Sequence, residues 1–175
     1  MATNPVPSVL INAKIYNEGK ELMGAGTVEL PDLEFMTETV SGLGMGGEID
    51  LPVLGHFQSL TMSVSWNTVS KQSVSLLAPR THALVIYASI QDWDTGGGTF
   101  APAPVRVMVQ ATPKKSGIGK FEVGKKMEPG NEFELTFIKM SIGGEEVLEI
   151  DKLNMICRIN CVDYLADVRT HLGMA

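Results

Sequence analysis

Four carboxylates near the C-terminus are the strongest candidates for acid–base chemistry in this sequence. Glu145, Glu146, Glu149 and Asp151 lie within seven residues, and a carboxylate pair can supply the general acid and base of a hydrolase. Glu149 and Asp151 alternate with an apolar residue, as in a strand with one buried face. Within residues 145–151 no histidine, lysine or tyrosine supports them. A solvated face, or a face between subunits, is therefore favoured over a catalytic pair.

Two other motifs look like ligand sites but lack the required context. Residues 42–47 spell G-x-G-x-x-G, which binds dinucleotides only where a strand precedes it and a helix follows. Here residues 48–52 are extended and end in proline. Residues 92–96 (DWDTG) resemble the start of a calcium loop, but no third acid or closing glutamate follows. With no nucleophile elbow either, we predict a protein that is not an enzyme and has no cofactor or metal.

The two cysteines give no metal or redox motif. Cys157 and Cys161 are spaced C-x3-C, whereas zinc and redox sites prefer C-x2-C with further ligands nearby. The histidines are scattered along the chain. Free thiols in a reducing cytoplasm are the expected state.

Composition limits the class of protein. At 175 residues, with 44% hydrophobic and 19% charged residues, the chain is expected to fold as a single domain, residues 1–175. A net charge of −6 argues against a nucleic-acid-binding protein, which would need a basic face. The charge suits a surface that nucleic acid passes without binding, although solubility is the commoner reason for a net charge. The N-terminus has no signal peptide, and the longest apolar run, residues 83–90, is too short to span a bilayer. We expect a soluble cytoplasmic product without stable membrane binding.

Apolar periodicity predicts a mainly β protein, an antiparallel β-sandwich or partly rolled barrel with two short helices. The predicted strands are 9–16, 27–35, 56–67, 83–90 (central), 105–112, 133–142 and 147–151. One helix is predicted over 70–78, closed by Pro79, and a second is predicted to start at Asn160 as N-cap and to stop at Gly173. The glycine-rich segment of about 37–56 is predicted to be a long inserted loop.

One feature of the sequence favours assembly. The predicted strand 56–67 carries no Lys, Glu or Pro in its interior, so nothing protects it as an edge. It must lie inside a sheet or continue into a sheet from another chain.

Residues 114–126 hold five lysines but only one stacking aromatic, so nucleic-acid binding has weak support. A solvated hairpin is the default there, and contact with an acidic protein surface is the alternative.

The C-terminal block carries a family resemblance. It follows the pattern E-x-x-E-I-D-x-x-N and then N-x-V-D-x-L-x-x-x-R-x-x-L-G, and it resembles the C-terminus of major tail tube proteins of contractile-tailed phages. This FII-type family includes the tubes of R-type bacteriocins. The matching residues are Glu146, Glu149, Ile150, Asp151, Asn154, Asn160, Val162, Asp163, Leu165, Arg169, Leu172 and Gly173. Family members usually have glycine where this chain has Cys161, which weakens any claim that this position needs a positive φ.

The resemblance implies a structural function. Tube subunits close into hexameric rings whose inner sheets form one continuous β-barrel, and the rings stack into a hollow rigid tube. Sheath contraction drives the tube through a cell envelope, and the lumen passes DNA or ions. The implied partners are further copies of the chain, the sheath, a baseplate or tube initiator, a terminator, the tape-measure protein and the passing DNA. The implied location is a phage tail or bacteriocin particle assembled in the host cytoplasm.

We assign two sets of candidate residues on this basis. The glycine-rich segment is expected to reach a neighbouring subunit, together with three residues of the C-terminal block. This predicted interface comprises Gly42, Gly44, Met45, Gly47, Ile49, Asp50, Leu51, Asn154, Met155 and Asp163. The hydroxyl residues Thr61, Ser63 and Ser65 are predicted to face the lumen.

Two alternatives remain open. A secretion-system tube of the haemolysin-coregulated type would share the ring architecture and carry effectors, and neighbouring genes would identify it. A monomeric β-sandwich binding module would need a concave aromatic site. The chain has only two Trp and three Tyr, which counts against such a module.

Overall fold

The computed structural model describes residues 6–22, 24–94 and 96–174. This part of the chain is mainly β, as predicted, with two short helices. In chain order the elements are β1 (Val6–Asn17), β2 (Lys20–Leu22), β3 (Ala25–Glu29), β4 (Phe35–Val40), β5 (Ile49–Phe57), β6 (Thr61–Trp66), α1 (Lys71–Ser75), β7 (His82–Asp94), β8 (Thr99–Gly117), β9 (Gly130–Ile142), β10 (Glu145–Asp151), β11 (Ile156–Ile159), β12 (Val162–Asp163) and α2 (Ala166–His171). None of the helices in these ranges is long and apolar enough to cross a membrane.

Ten strands form one antiparallel sheet that branches at β9. Its main path runs β12-β11-β10-β9-β8-β7-β1-β2, so the predicted central place of β7 is confirmed. Along one edge β9 pairs with β8. Along the other edge, residues 130–134 pair with β6, and residues 137–142 pair with β10. Because both branches place side chains in the same hydrophobic cluster, the sheet curves around a single core without closing into a barrel.

Strand β6 shows how the core is built. Met62, Val64 and Trp66 are buried and alternate with hydroxyl residues, the period-2 pattern expected of a strand with one buried face. The predicted strand 56–67 is nevertheless interrupted, because residues 58–60 lie between β5 and β6. At this break the Leu60 carbonyl accepts a hydrogen bond from the Leu135 amide at 2.8 Å. Residues 58–60 thus separate the core strand β6 from the hairpin that contains β5.

The segment predicted to be a loop, 37–56, is instead a hairpin, which we call the arm (residues 35–57). Strands β4 and β5 pair from Thr37–Pro52 to Val40–Ile49 as a separate two-stranded sheet. Residues 35–40 and 49–54 of these strands are exposed on both faces, so the sequence has none of the apolar alternation that marks a half-buried strand. The predicted strand 27–35 is also wrong in part, because the observed strand β3 ends at Glu29, two residues before Pro31.

The arm and the lysine-rich loop lie at opposite ends of β6. The arm enters at its start, where the Gln58 amide donates to the Glu34 carbonyl at 2.9 Å. At its end, the Trp66 amide donates to the Pro129 carbonyl at 2.8 Å. Residues 118–126, which we call the basic loop, therefore lie beyond the far end of β6. With a rise of about 3.3 Å per residue, the strand separates the two by roughly 17 Å.

The β11–β12 turn corrects two predictions. Asn160 and Cys161 have φ values of +48° and +66°, and they are the two central residues of a hairpin turn between paired strands. Asn160 is therefore not a helix N-cap, and α2 starts only at Ala166. Asparagine favours both positions, since its side chain caps helices and tolerates a left-handed backbone. Cys161 has a positive φ, although a cysteine in place of the family's usual glycine had weakened that expectation.

We expect Cys161→Gly to stabilise the protein. A left-handed backbone costs a side-chain-bearing residue about 1–2 kcal/mol, and the extra entropy of glycine in the unfolded chain offsets about 0.5–1 kcal/mol of that. Chemical denaturation should show a gain of about 0.5–1 kcal/mol in the free energy of unfolding. Asn160→Gly should give a smaller change, because asparagine tolerates this backbone. An unchanged or lower value for Cys161→Gly would contradict the turn geometry.

Candidate subunit interface

The outer part of the arm is exposed in the described part of the chain. It holds seven of the predicted interface residues, Gly42, Gly44, Met45, Gly47, Ile49, Asp50 and Leu51. Leu43 at the tip is fully exposed, and Ile49 and Leu51 are about half exposed. A Cβ added at any tip glycine would meet nothing within 4 Å. Contiguous exposed apolar side chains mark interaction sites.

The arm is ordered by local bonds. The Thr39 hydroxyl donates to Asp50 at 2.6 Å, and the Met45 amide donates to the Gly42 carbonyl at 3.1 Å. An isolated two-stranded hairpin is marginally stable in water. The arm is therefore preformed but weak, and a second surface that buried its apolar residues would stabilise it.

The base of the arm is packed on the C-terminal block. The Phe35 and Phe57 rings lie 4.6 Å apart. Gly55, with φ +70°, touches Leu165, so a Cβ there would lie 2.8 Å from Leu165 Cγ and closer to its methyls. Between these contacts the register jumps, because Phe35 faces Phe57 but Thr37 faces Pro52. Sequence reasoning missed Gly55, whose only signal is a glycine within an apolar run.

Leu165 is held in place by an ion pair just beside it. Arg169 donates from Nη2 to Asp163 Oδ2 at 2.7 Å and from Nη1 to the Met155 carbonyl at 2.9 Å. The Leu165 amide donates to Asp163 Oδ1 at 3.1 Å. These hydrogen bonds, that from Arg169 above all, hold the pKa of Asp163 below its usual value. Asp163, Leu165 and Arg169 of the C-terminal block thus form a unit, which we call the clasp, that fixes the base of the arm.

Asn154, Met155 and Asp163 all have roles within their own subunit. Asn154 donates its backbone amide and its side-chain amide to the Asp151 carboxylate, at 2.9 and 2.7 Å, in the β10–β11 turn. Met155, with φ +51°, packs against the core and supplies the carbonyl that Arg169 binds. Their place at an interface stays a prediction.

We expect the clasp to make stability depend on pH at the acid end. A carboxylate whose pKa is lowered on folding stabilises the fold above its unfolded pKa of about 4, and the stabilisation is lost as pH falls through the lower folded pKa. Asp163→Asn should therefore lower Tm by several degrees near pH 7 and by much less near pH 3. Asp167→Asn, at an exposed position in the first turn of α2, is the matched control and should lower Tm much less, because an exposed acid at a helix start contributes only about 0.3–1 kcal/mol. An equal Tm loss for Asp163→Asn at both pH values would exclude an electrostatic clasp.

Glu146 and Glu149 of the acidic strand β10 form ion pairs within their own subunit. The sequence-based expectation that no lysine supports these carboxylates was therefore wrong. Arg158 contacts Glu149 at 2.5 Å, and Lys139 contacts Glu146 at 2.7 Å. Burial raises the pKa of Glu149, whereas the hydrogen bond from Lys139 lowers the pKa of Glu146. The lysine and arginine come from neighbouring strands, so sequence spacing could not reveal them. The network ties β9, β10 and β11 together.

The hydroxyl residues of β6 lie on the face opposite the core. Ser63 donates to Glu29 at 2.8 Å, and Lys114 lies 3.4 Å from the Thr61 hydroxyl. Ser63 and Ser65 line a shallow cleft of about 360 Å³. The cleft is also lined by Glu29, Glu132 and Lys115, so it is polar and holds charges of both signs.

The free strand edges lie outside β6, which takes the first of its two predicted places, inside a sheet. Strand β6 is paired on both sides, with β3 and β9, so it lies inside the sheet and no longer argues for assembly. Within the described part of the chain, β3 pairs only with β6, and β1 pairs with β2 only from Ile15 to Asn17. The start of β1 exposes Val9, Leu10 and Ile11. Free edges of this kind can pair with another chain.

The two ligand-like motifs have structural roles. The G-x-G-x-x-G glycines form the arm turn and lead into β5, with no helix after them. Residues 92–94 end β7 and residues 96–98 lead into its partner β8, as predicted for a hairpin. In the described ranges no three His, Cys, Asp or Glu side chains are grouped to hold a metal. Cys157 is buried, Cys161 is exposed, and both thiols are free.

Comparison with known proteins gives a consistent result. The family model for phage tail tube protein FII matches residues 7–173. The tail tube protein of Escherichia phage P2 is 26% identical over 179 residues, covering 97% of this chain and 99% of that protein.

Solved structures show the same fold. A chain from the PVC sheath/tube terminator, an extracellular contractile injection system in its extended state, has a TM-score of 0.56 at 13% identity, covering 81% of this chain and 99% of that chain. A chain from the PVC sheath–tube complex in the extended state has a TM-score of 0.54 at 13% identity, covering 80% and 93%.

Proposed function

The chain belongs to the phage tail tube protein FII family and is a structural subunit of a contractile tail tube, not an enzyme, and we propose that six copies close into a ring. The free edges of β1 and β3 carry this proposal. Copies joined edge to edge would turn separate curved sheets into one continuous inner barrel, and closure removes the exposed edges. Main-chain pairing repeated around the ring would make it stiff.

Rings stack into a hollow tube through the arm. Its outer residues 42–51 are the main contact between copies, because they expose the apolar side chains of Leu43, Ile49 and Leu51. Burial of these side chains offsets the entropy lost when the arm is fixed. Asn154, Met155 and Asp163 belong to the same contact through the clasp that holds the arm's base.

The tube lies inside a contractile sheath, starts at a baseplate and ends at a terminator. Support comes from the related folds, which belong to a sheath–tube complex and a sheath/tube terminator. Contraction drives the tube through a cell envelope, and the lumen holds the tape-measure protein and then passes DNA or ions. Subunits assemble in the host cytoplasm into a phage tail or a tail-like particle.

Negative-stain electron microscopy of the purified protein over a concentration series tests this function. We expect six-membered rings or hollow tubes, either spontaneously or after addition of a partner baseplate protein. A protein that stays monomeric at every concentration and with that partner would contradict the proposal.

The hydroxyl face of β6 is the lumen surface in this arrangement. Thr61, Ser63 and Ser65 would let DNA pass without binding it, whereas arginines there would bind phosphates strongly. We expect Ser63→Arg with Ser65→Arg to slow DNA ejection from assembled particles while tubes still form. Thr170→Arg on α2 is the control and should leave the ejection rate unchanged. Equal ejection rates for all three proteins would place the β6 face outside the lumen.

A further inference from the structure

Acidic and basic residues are segregated along this chain. Residues 21–70 contain seven carboxylates and neither lysine nor arginine. Three of those carboxylates, Glu38, Glu48 and Asp50, lie in the arm, all exposed. The described structure shows no ion pair for Glu38 or Glu48. The arm therefore presents negative charge together with its exposed apolar side chains.

The basic loop has the opposite charge and a similar apolar content. Residues 118–126 carry three lysines and one glutamate. Glu122 pairs with Lys125 at 2.6 Å, and in the described part of the chain Lys120 and Lys126 have no ion-pair partner. Phe121 is 91% exposed and Val123 is fully exposed. Beside the loop, α1 adds the half-exposed Val74 to the same small pocket as Ile118.

These complementary surfaces are at opposite ends of the subunit. The arm joins the start of β6 and the basic loop follows its end, with about 17 Å of strand between them. Within the described ranges no hydrogen bond or ion pair links them in one copy. A contact between two different patches on identical chains is heterologous, and it repeats when subunits are added end to end.

We propose that the arm of one copy docks on the basic loop of a second copy, with Glu38 and Glu48 facing Lys120 and Lys126 and with the arm's apolar tip against Phe121 and Val123. This inference rests on the proposed function, and it names the surface that receives the arm. The loop's exposed aromatic and aliphatic side chains favour a protein partner over a nucleic acid, because a phosphate backbone would leave them in water.

Charge reversal tests the pairing. The arm variant carries Glu38→Lys and Glu48→Lys, the loop variant carries Lys120→Glu and Lys126→Glu, and a third variant carries all four changes. Because close charge pairs across an interface contribute more than about 1.4 kcal/mol, or tenfold, each double variant should raise the critical concentration for assembly at least about tenfold. The fourfold variant should return it to within about threefold of the wild type. Glu145→Lys with Asp167→Lys, the control of equal charge change on exposed positions, should have no such effect.

Zero-length carboxylate–amine cross-linking provides a second measurement. Tubes grown from mixed isotope-labelled and unlabelled chains should yield amide links from Glu38 or Glu48 to Lys120 or Lys126 that join the two labels. Tubes indifferent to both reversals, or cross-links only within one chain, would overturn this inference and leave the tube function standing. Loss of sheath binding, with tube assembly intact, in the loop variant would assign the basic loop to the sheath and also overturn it. A wild-type chain that never assembles would overturn the tube function and this inference together.

Discussion

Replacement of residues 41–48 by Asn-Gly is expected to give a folded subunit that no longer forms tubes. Val40 and Ile49 are the last paired residues of the arm, and a two-residue Asn-Gly turn joins paired strands without changing their register. The replacement removes Leu43 and Met45, whose burial between copies would contribute about 1.5–3 kcal/mol each. The critical concentration for assembly should therefore rise at least about a hundredfold, as measured by sedimentation and electron microscopy.

Two controls separate the arm's length from its chemistry. The Tm of the shortened protein should equal that of the wild type, because the arm's tip contacts none of the described core. Leu43→Ser with Met45→Ser keeps the length and should weaken assembly by a smaller factor. Normal tubes from the shortened protein would place the contact between copies outside the arm.

Gly55→Ala is expected to destabilise the protein by about 1.5–4 kcal/mol. The left-handed backbone contributes about 0.5–1 kcal/mol after the entropy of glycine in the unfolded chain is subtracted, and the clash of the new methyl with Leu165 contributes about 1–3 kcal/mol. Gly44→Ala is the matched control, because Gly44 also has a positive φ, +89°, but no atom within 4 Å of its Cβ position. It should cost only the backbone share. Both free energies of unfolding come from chemical denaturation.

A double-mutant cycle identifies the steric part. Leu165→Ala alone should cost about 2–5 kcal/mol, since Leu165 is buried. Combined with Gly55→Ala it should cost less than the sum, because the alanine methyl then has room. Equal costs for Gly55→Ala and Gly44→Ala, or strict additivity, would show that the arm's base does not rest on Leu165.

Sequence patterns predicted those elements that bury one face or turn at diagnostic residues. Strand β6 was recognisable because Met62, Val64 and Trp66 alternate with hydroxyl residues. The β9–β10 hairpin was recognisable because Gly143 and Gly144 supply two positive φ values between apolar strands. In both cases local residue preference and the final fold agree.

The arm and the clasp could not be predicted in the same way. The arm's strands bury neither face, so its glycine-rich tip dominated the pattern. The clasp depends on Leu165 meeting Gly55, residues 110 positions apart in the numbering, and on Arg169 reaching back to Asp163. Contacts of this kind are set by tertiary packing. The family resemblance identified the block that contains them but not what the block does.

The separation of arm and basic loop by the length of β6 gives the polymer a direction. If each copy joins the next arm to loop, every ring in a tube points the same way. One end of the tube then displays unbound arms, which are acidic and apolar, and the other end displays unbound basic loops. The two termini should grow at different rates. A protein that caps one of them cannot cap the other by the same contacts, so starting a tube and stopping it require different binding surfaces.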